Sequence, residues 1–325
     1  LLAHARRKEI GRITLNTNGI RLVNDAKLVK EIAEAGVYLV LSFNTLKPDI
    51  TMQMHGADIL EKKLECLKIL EAHKIPTTLL NVCAKGVNET ELGQVVDLML
   101  KHEFVRSLTV QTMTYTGFGG RSFSPRQHLP IDEVIGLIVS AHPDIFRASD
   151  FTPLPGTHPL CYSVAYVFHH NGRFLPLRRL FTSEEYEQIV GRKYLIHPDE
   201  GLHELLRNKI DEIWAGSVPD VEGEPALALL KTIIGELYPS RRSITPFERQ
   251  KIAEKFFKTI YIHAHMDEDT FDTSRVVRCG DLVPDASKIF IPACSYNLFY
   301  RMKDERFWHE SSSDDAPEKK EQITS

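Results

Sequence analysis

The side chains able to do chemistry fall into three groups along the 325 residues. The first is a series of polar loops, each following a short apolar run: Asn16-Thr17-Asn18-Gly19, Ser42-Phe43-Asn44, Cys83 to Glu91, and Gln111 to Gly117. Asn and Gly tolerate the left-handed backbone of a tight turn. Ser42 and Asn44 can bond a ribose or a carboxylate. Taken singly, each loop reads equally well as a turn or a helix cap, with Asn88 or Thr90 the cap in the third. The second group is the five cysteines, Cys66, Cys83, Cys161, Cys279 and Cys294. Their odd number and wide spacing are unlike a secreted disulfide framework. Cys66 lies among leucines and Cys83 ends an apolar run, so both read as core. Cys161, Cys279 and Cys294 sit in loops, and thiolates are soft ligands suited to iron-sulfur clusters. With His158 they make a candidate metal set, without the short pairing that marks a strong metal motif. The third group is His263-Ala264-His265 with Asp267 and Asp269. On a strand, HxH sets both imidazoles on one face, a pair suited to Zn and to activating water. A solvated polar loop fits the same residues.

The elements that must position these groups follow one rhythm over residues 12–113. Strands are expected at 13–15, 37–42, 77–82 and 108–113. Helices are expected at 25–35, closed by Gly36, at 57–73, with Leu60, Leu64, Leu67 and Leu70 on one face, and at 89–101. Apolar strands joined by helices predict a parallel α/β sheet, here part of a (β/α) TIM-type barrel. Ligands in such barrels gather on loops at the strand carboxyl ends, which is where the polar loops fall. From about Phe151 the rhythm changes. A hairpin is expected over 164–180 with Asn171-Gly172 as its turn, then helices over 182–258, then strand and loop to about 301. The Ser, Asp, Glu and Lys-rich end, 306–325, reads as a disordered tail.

Taken in order, Leu15 to Arg21, Leu41 to Asn44, Lys85 to Glu91 and Val110 to Gly117 resemble the second half of the radical S-adenosylmethionine (SAM) partial barrel. The nearest branch is the one containing tetraether lipid synthases and pterin methyltransferases. The likeness continues through Pro153-Leu154-Pro155, His158-Pro159-Leu160-Cys161, Gly172-Arg173, His263-Ala264, Met266-Asp267 and Ile291 to Asn297, and covers about residues 10–302. It implies a fold of radical SAM core over 1–125, with its first strands missing. A C-terminal α+β region over 126–305 with an auxiliary iron-sulfur site, and the tail, would follow. It also implies that Asn18, Gly19, Ser42, Asn44, Gly86, Asn88 and Gln111 border SAM.

The CxxxCxxC loop and GGEP segment of the family are absent from these residues. The chain also opens on what reads as the inside of a helix, without Met. The expectation is a chain truncated at its amino end, whose 4Fe-4S ligands lie upstream and which is inactive alone. Intact, the implied enzyme cleaves SAM to a 5'-deoxyadenosyl radical for carbon–carbon coupling or methylation at an unactivated carbon. Its implied partners are a lipid or small-molecule substrate and an electron donor such as ferredoxin or flavodoxin; the cofactor supplies the hard chemistry.

Composition sets outer limits. An apolar fraction of 42% is enough for a sizeable core, and a net charge of -4 argues against a nucleic-acid binder. No run approaches a membrane-spanning length. Cytoplasmic residence is expected, peripheral to a membrane if the substrate is a lipid. Two rival readings remain: a barrel metallohydrolase built on His263 and His265, and a non-catalytic binding module. The hydrolase class carries HxH on its first barrel strand, whereas here it lies late in the chain.

Overall fold

In the computed structural model, the described residues are 4, 12–116, 120, 123–124, 126–191, 196–285, 287 and 289–306. The expected tail beyond Arg306 and the expected helix before residue 12, apart from His4, lie outside them. The chain forms two compact units, Leu1–Thr114 with Pro125–His265, and Tyr115–Ser124 with Met266–Ser325.

The first unit is built on an eight-stranded sheet. Its strands are β1 (Thr14–Thr17), β2 (Tyr38–Ser42), β3 (Thr77–Cys83), β4 (Val105–Thr112), β5 (Thr152–Pro153), β6 (Tyr162–His170), β7 (Arg173–Pro176) and β8 (Phe257–Ala264), ordered β1-β2-β3-β4-β8-β6-β5 with β7 on β6. The first four pair in parallel, and β8 pairs in parallel with β4. Five strand carboxyl ends therefore share one edge. The mixed α/β sheet with its parallel strands agrees with the expected α/β partial barrel. β6 runs antiparallel to β8. The β6–β7 turn is Asn171-Gly172, both at positive φ (49° and 74°), the expected hairpin.

Helices α1 (Ile20–Asn24), α2 (Ala26–Glu34), α3 (Pro48–His55), α4 (Leu60–Ala72), α5 (Leu92–Lys101) and α6 (Ile131–Ala141) connect or flank the parallel strands. The expected helix over 57–73 is α4, and a helix not expected, α3, precedes it: Pro48 opens α3 at its first turn and Gly56, at φ 69°, closes it. The expected helix at 89–101 begins as a 3₁₀ turn, Glu89–Glu91.

Burial alternates along β2 and β3, as one-sided coverage requires. Leu39, Leu41, Leu79, Cys83, Leu108, Val110, Ile260 and Ile262 face the helices in one core. On the other face, Tyr162, Val164, Tyr166, Phe168, Phe257 and Tyr261 pack with Leu202, Leu206, Leu230 and Ile233 from α8 (Glu200–Trp214) and α9 (Gly223–Leu237) in a second core; α7 (Ser183–Val190) and α10 (Pro246–Phe256) join it through Ile189 and Phe256. The β2–β4 part of that face is half-buried instead, exposing Val40, Ser42, Thr109 and Gln111 to intermediate degrees.

The second unit holds an antiparallel pair, β9 (Leu282–Pro284) with β10 (Phe290–Pro292), and the short helices α11 (Thr273–Val276) and α12 (Ala293–Ser295). Its buried Asp267 accepts from the Tyr115 amide at 3.1 Å and from the Thr270 hydroxyl at 2.8 Å.

Candidate functional site

Register places the polar side chains of the carboxyl edge in rows. Partners in a parallel ladder share a face. Ser42 pairs with Leu80, Leu80 with Thr109, and Thr109 with Tyr261, giving one row across four strands. One step nearer the edge, Val82 pairs with Gln111, Gln111 with His263, and His263 with Tyr162. Ser42, Gln111 and His263 thus lie on one face of one edge.

At β1, Asn18 is exposed and its Oδ1 accepts from the Ile20 amide at 3.2 Å, while Thr17 Oγ1 accepts from the Gly19 amide at 3.0 Å. Gly19 is buried at φ 84°, and a Cβ there would lie 2.7 Å from Leu41 Cδ1 and 2.9 Å from Cys66 Sγ. Glycine is required because β1 turns into α1 directly against α4.

Asn44 and Asn88 come together inside the protein. Asn44 Oδ1 accepts from the Val82 amide at 2.9 Å, and its Nδ2 lies 3.3 Å from His55 Nε2. Asn88, 1% exposed, donates to the carbonyls of Asn44 and Val82, each at 2.8 Å, and accepts from the Ala84 amide at 2.7 Å. Asn81 donates to the carbonyls of Phe43 and Asn44 at 3.1 and 3.0 Å. These amides brace the β2 and β3 loops to each other. The cap expected from Asn88 is absent, since its side chain turns back to Ala84.

Two further braces were not visible in the sequence. Lys63, buried on α4, donates to the Ser42 carbonyl, and burial pushes its ammonium down to about 8. Buried Glu91 accepts from the Thr45 hydroxyl and pairs with Lys47 at 3.0 Å, tying the loop after β2 to the start of α5. A lysine or glutamate at helical spacing looks like solvated surface until the neighbouring loop is placed. Gly86, at φ 76°, is exposed, and its amide donates to Glu89 at 2.8 Å.

Strand was expected after residue 258, but not that this strand, β8, would lie beside β4. Its signals were present: a capping box from Thr245 to Glu248, then the run Thr259-Ile260-Tyr261-Ile262. They make an αβ unit of the earlier kind, delivering His263 and His265 to the shared edge. The ring of His263 stacks on Tyr162 with centroids 3.8 Å apart, and lies 3.7 Å from the ring of His265. The Ala264 amide between them donates to the Cys161 carbonyl at 2.9 Å. His158 shapes the preceding turn, its carbonyl accepting from the Cys161 amide at 2.8 Å and its Nδ1 from the Leu160 amide at 3.2 Å. In the second unit, Cys294 Sγ accepts from the Met266 amide at 3.2 Å, and the Cys279 thiol donates to the Asp281 carbonyl at 3.1 Å.

Cys66 and Cys83 are fully buried, and burial pushes their thiols up to about 11 and about 12. Both lie within the apolar core, as small buried residues. The polar edge fits a nucleoside with an amino-acid tail, because it offers hydroxyl and amide groups without a fixed charge.

Comparison with known proteins agrees with this geometry. The radical SAM superfamily profile matches residues 1–99, which hold β1 to β3 and their loops. This stretch belongs to the radical SAM superfamily. Members of that superfamily use a 4Fe-4S cluster and SAM. The chain is 24% identical over 324 residues to 7,8-dihydro-6-hydroxymethylpterin dimethyltransferase of Methanocaldococcus jannaschii, covering 91% of this chain and 63% of that protein. It is 29% identical over 126 residues to a probable GTP 3',8-cyclase of Thermococcus kodakarensis, covering 37% of this chain and 39% of that protein. The chain thus spans less than two thirds of the length of either curated relative. No helix among the described residues is long and apolar enough to cross a membrane.

Proposed function

We propose that this chain forms part of a radical SAM enzyme that methylates, or otherwise joins carbon to, an unactivated carbon of a small pterin-like substrate. One observation carries the reading: Ser42 and Gln111 stand half-buried on one face at the shared carboxyl edge of strands whose first three lie in the superfamily stretch. The pterin dimethyltransferase likeness, which runs through most of the chain, favours a small heteroaromatic substrate over a lipid.

When bound with its cluster, SAM supplies a 5'-deoxyadenosyl radical able to take hydrogen from such a carbon. The residues described here hold and orient. The Ser42 hydroxyl and the Gln111 amide offer donors and acceptors to the ribose and the amino-acid tail. Gly19 lets the β1 loop lie flat against α4. The Asn44, Asn81 and Asn88 amides keep the β2 and β3 loops at fixed separation, so little ordering is left to occur on binding. A flavodoxin or ferredoxin would deliver the electron.

The test is anaerobic incubation of the full-length protein with SAM and dithionite. Formation of 5'-deoxyadenosine and methionine is expected. Intact SAM after reduction, in protein with a full complement of iron and sulfide, would reject the reading.

A further inference from the structure

We propose that His263 and His265 form a binding site for a divalent transition metal ion at the carboxyl edge of β8. His263 is on β8 and His265 lies one residue past its end, with the two rings side by side. Their ring centroids are 3.7 Å apart, and each offers a ring nitrogen within 4.8 Å of the other's. Imidazole is the commonest nitrogen ligand for Zn and its neighbours in the first transition row.

The pair is also held in advance. His263 is 6% exposed and stacks on Tyr162 at 20° between ring planes. The backbone between the two rings is fixed on both sides, by the β4 ladder at Gln111 to His263 and Thr112 to Ala264, and by the Ala264 amide on the Cys161 carbonyl. Such support orients metal-bound imidazoles and raises affinity. His265 is less buried, so the ion remains open to water or to a ligand on the remaining positions. Gln111, beside His263, can hydrogen-bond a water on the metal. An ion here would act as a Lewis acid toward an oxygen or nitrogen of whatever occupies the edge. The site stands whether or not that occupant is SAM.

The experiment uses full-length protein stripped with a chelator and titrated with Zn²⁺, followed by calorimetry and by X-ray absorption at the zinc edge. Wild type should take up one Zn²⁺ that His265→Ala and His263→Ala each lose, while exposed His73→Ala keeps it. Circular dichroism confirms that each variant is folded. Because His263 is packed, the wild-type absorption spectrum provides a second reading that needs no variant: scattering from two imidazoles is expected. Equal uptake by wild type and the folded His265→Ala, or a zinc shell without imidazole, would overturn the site.

Discussion

Gln111 on β4 stands directly across from His263 on β8 in the parallel ladder, so two residues far apart in the chain share one face of one edge. Gln111 is half-buried near the carboxyl end of β4. Truncating it should therefore leave stability within about 0.5 kcal/mol, the usual range for substitutions outside a core. The same change should lower 5'-deoxyadenosine formation. Urea unfolding and single-turnover product measurement on Gln111→Ala separate the two effects.

Gly19→Ala should behave in the opposite way. The new Cβ meets Leu41 and Cys66 below 3.0 Å and the residue is held at φ 84°. A loss of about 1–3 kcal/mol is expected from crowding in a packed core. Denaturant unfolding reads it, and Gly19→Val should be worse.

Asn88→Ala removes three hydrogen bonds and leaves the Ala84 amide and the Asn44 and Val82 carbonyls short of partners. The expected cost is about 2–4 kcal/mol. Hydrogen exchange should localise the loosening to residues 43–47 and 83–91. Uniform loosening of the whole sheet would contradict the bracing role.

His169 gives a pH dependence. It is buried on β6, and burial, with the charges of Lys258, Arg106 and His170, pulls its imidazole down to about 3. A depressed folded value means that the unfolded chain binds the proton more readily. The resulting stability is present above the ordinary histidine range near 6.5 and is lost as pH falls toward 3. The slope contributed by this group should approach about 1.4 kcal/mol per pH unit within that window. Urea unfolding from pH 4 to 7 should show this loss in wild type and a shallower one in His169→Phe.

Much of the scaffold was legible because each signal was local. Alternating burial in β2 and β3, the leucine face of α4 with Cys66 inside it, and the Asn171-Gly172 turn depend on neighbours a few residues away. The Pro48 start and Gly56 stop of α3 were equally local and marked a helix that the reading passed over. The site was less legible because it depends on which strands adjoin. Nothing within Thr259 to His263 states that β8 lies beside β4. Similarly, Asn88 is a good cap by residue type, and only the neighbouring Asn44 and Val82 carbonyls make turning inward better.

The central claim is that SAM binds at the carboxyl edge of the sheet, and its most direct test compares two residues at opposite ends of the same face. Ser42 lies at the carboxyl end of β2; Thr78 lies near the amino end of β3, its hydroxyl 2.7 Å from that of Ser107. SAM titration of full-length, anaerobically prepared protein should show about three- to tenfold weaker binding for Ser42→Ala, the value of one lost hydrogen bond, and no change for Thr78→Ala. Unchanged affinity in Ser42→Ala, or an equal loss in Thr78→Ala, would contradict that placement.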